Sequence, residues 1–135
     1  MNKMQEALDQ FGRETPTTEA ELERARRDSQ SLAKRIQDTA GQDHATIRAQ
    51  ASSVGEQARR LAEAIKTLLD DQATEGVHHL KGAYAALQAF DNENQRLTNA
   101  EDSDVQAHNK ASFAHAREAA HKVSEALADK RGLRN

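Results

Sequence analysis

Of the six histidines in this 135-residue chain, His78 is the one whose neighbours give it a chemistry. It lies in Glu75-Gly76-Val77-His78-His79-Leu80-Lys81-Gly82-Ala83-Tyr84-Ala85-Ala86-Leu87, where an imidazole, a cation and a residue without a side chain fall at helical spacing. A helix turns about 100° per residue, so Lys81 and Gly82 sit within about 60° of His78 one turn further along, and Ala85 completes that face. Val77, Leu80, Tyr84 and Leu87 recur at intervals of three, four and three and form an apolar stripe to one side of it. An imidazole titrates near roughly 6.5 in water, so its neutral, nucleophilic form is well populated at neutral pH. A lysine one turn away neutralises an incoming phosphoryl group without blocking it. Glycine costs about 1 kcal/mol in mid-helix relative to alanine, and close approach of a partner loop is a use that would account for it. Leu80-Lys81-Gly82 is also how many helices end, with a cation in the last turn and glycine past the cap. Against such an ending, Tyr84 and Leu87 continue the stripe in register.

His78, Leu80, Lys81, Gly82 and Leu87 together resemble the signature of histidine-containing phosphotransfer domains: a histidine, any residue, leucine, lysine and glycine on an exposed helical face, with a further leucine in the next turns. The resemblance covers about a dozen residues. It implies a four-helix bundle with the histidine on its second helix. It also implies that His78 accepts a phosphoryl group from a kinase or a receiver aspartate and passes it on, with Lys81 as charge partner and Gly82 and Ala85 as a clear landing surface. The receiver would bring the aspartate and its Mg²⁺. The chain itself then needs no cofactor and is not a stand-alone enzyme.

Composition constrains the elements that must carry this face. The length suits one domain, and 30% charged residues with a net charge of −3 predict neither nucleic-acid binding nor attraction to an anionic membrane. Alanine alone is as common as Val, Ile, Leu, Met, Phe and Tyr combined, so the core must be thin. With a small net charge and the best helix former in excess, the chain reads as slender, closely approaching helices, and oligomerisation is one way to complete their burial. No cysteine is present, which excludes disulfides and thiolate metal sites. Met1-Asn2-Lys3-Met4 leads into polar residues with no apolar run, arguing against a signal peptide and a membrane span, so a cytoplasmic location is expected.

Taken in order, residues 1–15 carry Met4, Leu8 and Phe11 at helical spacing before Gly12 and read as an arm or short helix. Pro16 and the Thr18/Glu21 capping box place the start of the first long helix between Pro16 and Glu19. Leu22, Ala25, Ser29, Leu32 and Ile36 follow a heptad rhythm inside a heavily charged surround. Gly41 is the expected stop and Asp43 the expected cap of the next helix. Ile47, Ala51, Val54, Ala58, Leu61, Ile65 and Leu68 then alternate four and three over three heptads, the strongest periodicity in the chain, and Gly55 marks either a close crossing or a tolerated glycine. Asp70-Asp71-Gln72 breaks the register, and a turn there makes the second and third helices antiparallel. Residues 91–100, with Leu97 their only large apolar residue, read as a loop or weak helical turn. Ser103 and Gln106 form a capping box, and Val105, Phe113, Ala116, Ala120, Val123 and Leu127 give a last helix to about Lys130. Residues 131–135 read as a mobile basic tail.

A different chemistry is also written in the spacing. Glu75-x-x-His78 and Glu118-x-x-His121 repeat the pattern by which di-iron bundles hold metal, with Glu63 and Glu93 as further carboxylates. Both pairs point away from the apolar stripes, which argues against a bundle-core site. His44, His79, His108 and His115 read as exposed or boundary residues, and no zinc spacing, phosphate loop or nucleophile elbow occurs. The sequence thus predicts an all-α antiparallel bundle of about four helices over residues 16–130, Ala-rich and packed like a coiled coil. It would act through protein contact, either as a phosphorelay intermediate at His78 or as a helical scaffold, adaptor or oligomerising protein without phosphorylation. No metal site is expected.

Overall fold

The computed structural model describes residues 3–70 and 77–130, with side chains from residue 19 onward. Four helices account for nearly all of this: α1 (Lys3–Thr39), α2 (His44–Asp70), α3 (Val77–Asn99) and α4 (Asp102–Lys130). Each helix runs antiparallel to the next, as the contacts between them show. Arg35 of α1 reaches Gln57 at 2.9 Å and Ser53 at 2.7 Å on α2, while Thr39, a turn later, meets Gln50. Asn94 and Asp91 of α3 meet Ala51 and Arg59 of α2, and His79 and Glu93 of α3 meet Asp129 and His108 of α4. α1 also packs along α4, whereas the backbones of α1 and α3 stay apart among the described residues. The helices therefore close a ring in the order α1, α2, α3, α4, an up-down-up-down bundle.

Heptad positions become burial directly. Leu22, Ala25, Ser29, Leu32 and Ile36 of α1 are buried, and so is every member of the α2 stripe from Ile47 to Leu68. On α3 the buried line is Leu80, Ala83, Ala86, Leu87, Phe90, Asn94 and Leu97, which leaves Val77 and Tyr84 half-buried at its margin. α4 buries Val105, Ala116, Ala120, Val123 and Leu127 as its periodicity predicts, but Phe113 only partly, because Ser112 beside it takes the inward position. α3 and α4 make the most extensive helix pair, and Ala83, Ala116, Ala119 and Ala126 on them are fully covered. Small side chains let backbones approach, so the alanine excess is how a thin core reaches close packing.

Boundaries follow local chemistry, with three departures from the sequence reading. α1 ends at Thr39 just before Gly41, and Asp43 caps α2 by accepting the Thr46 amide at 2.8 Å, both as expected. The stretch 91–100, expected as a loop or weak helical turn, is instead regular helix through Asn99 and forms the last turns of α3. Phe90, Asn94 and Leu97 share one face, with Gln95 bonded to Asp91 and Arg96 paired with Glu93 a turn away on the outside. α1 begins at Lys3 and runs through Pro16 instead of starting there, so the Thr18/Glu21 box falls within helix although a mid-helix proline both removes an amide and crowds the carbonyl a turn earlier. α4 starts at Asp102, which puts Ser103 in the first turn and not at the cap. The turn expected at 71–76, Glu75 with it, and the tail 131–135 lie outside the described residues. No described helix is long and apolar enough to cross a membrane.

Candidate functional site

His78 is the second residue of α3 and is exposed, as are Lys81 one turn on and Ala85 after it. The helix continues four further turns beyond Gly82, so Leu80-Lys81-Gly82 is not a terminus. A dianion formed on that ring would sit one turn from the Lys81 cation, which favours negative charge there.

The next residue behaves differently. His79 is largely covered, with Nε2 3.1 Å from Asp129 and Nδ1 3.8 Å from Glu125, both on α4. His121, exposed on α4, binds the other oxygen of Glu125 at 2.7 Å. The His78 and His79 rings meet edge to face, with centroids 4.5 Å apart and planes at 74°. His79 is thus held by acidic partners on the neighbouring helix and forms a wall against which the outer ring rests.

Gly82 has a neighbour that sequence reasoning missed. A Cβ built there would lie 3.3 Å from Cδ, 3.5 Å from Cε and 3.6 Å from Cγ of Lys122, so the lysine stem from α4 crosses the glycine directly. The glycine keeps this face of α3 low enough for a second cationic side chain to lie across it, one turn from His78. Nothing in the spacing along α3 could have found Lys122, because it depends on the register between α3 and α4. Gly82 is consequently half-buried, while Ala85 stays open.

His108 and His44 sit at helix seams. His108 of α4 meets Glu93 of α3 at 2.7 Å, and His44 of α2 lies 3.6 Å from Asp102, which also receives Arg48. Glu63 and Glu118 are exposed on different helices, and Glu93 is engaged by His108, so the five residues of the di-iron spacing that are described do not converge. Among the described residues no group of three or more His, Asp or Glu is arranged to hold a metal ion. Comparison with known proteins returns no matching family model, no matching curated protein and no matching solved structure. His78 stands on the third helix with one helix after it, where the phosphotransfer resemblance implies the second helix with two after it.

Proposed function

We propose that the protein is a phosphorelay intermediate that acts by contact with a partner domain, with His78 as phosphoryl acceptor. The single observation that carries this reading is the contrast between adjacent histidines: His79 is tied to carboxylates, while His78 stands exposed beside Lys81 on an open helical face. In the transfer, a lone pair of the neutral His78 ring attacks the phosphorus of an acyl phosphate on a receiver aspartate. A P–N bond forms, the P–O bond to the aspartate breaks, and its electron pair leaves as carboxylate. The proton on the other ring nitrogen stays in place, so charge balances without a proton acceptor. Lys81, with Lys122 across Gly82, lowers the electrostatic cost of the arriving dianion. Mg²⁺ and the acid group belong to the receiver.

Incubation with phosphorylated receiver domains, followed by intact mass, tests this reading. Label should pass to the chain from at least one receiver, more slowly to Lys81→Ala, and not to His78→Gln. Transfer at an unchanged rate to both variants would remove His78 and Lys81 from their roles. A folded protein that takes label from no donor would leave the helical scaffold reading in its place.

A further inference from the structure

The end of the bundle opposite His78 has a core of another kind. Thr39, Asn94, Asn109 and Ser112 are buried there, one or more from α1, α3 and α4, with Gln50 of α2 at the margin. Most of these side chains have partners. Thr39 Oγ1 donates to the Arg35 carbonyl, and Asn94 Nδ2 donates to the Ala51 carbonyl at 2.8 Å. Asn109 Nδ2 and Ser112 Oγ are both fully covered and bond to no protein atom. An unmet buried donor costs about 1–3 kcal/mol, so two of them three residues apart on one helix need an explanation.

The same two residues line one small, partly enclosed cavity of about 10 Å³, whose wall also includes Thr39, Gln50 and Asn94. A single water needs roughly 10–15 Å³ of such space and two to four polar partners. Both conditions are met here and the apolar remainder of the wall offers no competitor. We infer that this cavity is a binding site for one ordered water, which accepts from Asn109 Nδ2 and bonds to Ser112 Oγ, with an amide oxygen of Gln50 or Asn94 in reach of its remaining hydrogen. The water would tie α4 to α2 or α3 and make the register between them depend on one hydrogen-bonded centre, much as a buried polar residue sets register in a coiled coil. This inference is independent of any role for His78.

Water-to-protein cross-relaxation by NMR tests it on the native chain, read at the Asn109 side-chain amide. The expected result is a cross-peak whose sign marks a water resident for longer than about a nanosecond, strongly reduced in Ser112→Ala. Absence of a long-lived cross-peak in the native protein would overturn the inference. So would a peak of unchanged intensity in a folded Ser112→Ala, because Ser112 would then not hold the water. If Ser112→Ala does not fold, the native measurement decides alone.

Discussion

At Gly82 two residue-scale effects oppose each other. Alanine would gain about 1 kcal/mol of helix propensity, but its Cβ would press on the Lys122 stem at 3.3 Å, a contact that a flexible side chain relieves by moving. Gly82→Ala is therefore expected to keep or slightly raise the melting temperature while slowing phosphoryl uptake, because the displaced lysine no longer lies across the site. Lys122→Met, which keeps the stem and removes the charge, should slow uptake similarly with little change in melting temperature. Uptake at the native rate in both variants would show that the glycine serves packing alone. Lys122 marks what was illegible at this scale. The sequence places Lys81 by counting along one helix, whereas Lys122 enters only through the pairing of two.

At the scale of elements, α2 could be read from the sequence almost completely, because its buried positions are apolar at every step of the four-three rhythm. The second half of α3 could not, because its inward positions include Asn94, a residue that signals turns. The amide is accommodated by a feature of α2: a Cβ at Gly55 would lie 2.8 Å from Asn94 Nδ2, so the glycine leaves the room in which Asn94 reaches Ala51. Gly55 is thus the close crossing that the sequence left as one of two readings. Gly55→Ala, ordinarily stabilising inside a helix, should here cost about 1–3 kcal/mol in chemical denaturation by breaking that buried hydrogen bond. A gain in stability would contradict the crossing. Leu97 is fully packed with Ile47, Ala51 and Val105, and Leu97→Ala should cost about 2–5 kcal/mol. An exposed loop would lose almost nothing.

For the whole molecule, the ring of helices takes up the α2 stripe internally. Leu61 and Ile65 face the common core, so Leu61→Asp tests folding of the single chain and not the contact between chains. The junctions that close the ring are polar and exposed, and they respond to acid. Arg48 and, less strongly, the nearby His44 hold the Asp102 carboxyl below its ordinary range, and hydrogen bonds from Thr46 do the same for Asp43. A carboxyl lowered in the folded state contributes stability that is present above the unfolded value of about 3.9 and lost as pH falls through the lower folded value. Melting temperature should accordingly drop below about pH 4, and the difference between native protein and Asp102→Asn should shrink toward zero as Asp102 protonates. A difference that stayed constant down to about pH 2 would assign the effect of the variant to something other than this charge.

On the proposed function His78, and not its neighbour, carries the phosphoryl group. The most direct measurement is intact mass after incubation with a small phosphoramidate, before and after brief acid treatment, on the native protein, His78→Gln and His79→Gln. One acid-labile phosphoryl group is expected on the native protein and on His79→Gln, and none on His78→Gln. A label that survives in His78→Gln, or disappears only in His79→Gln, would contradict it.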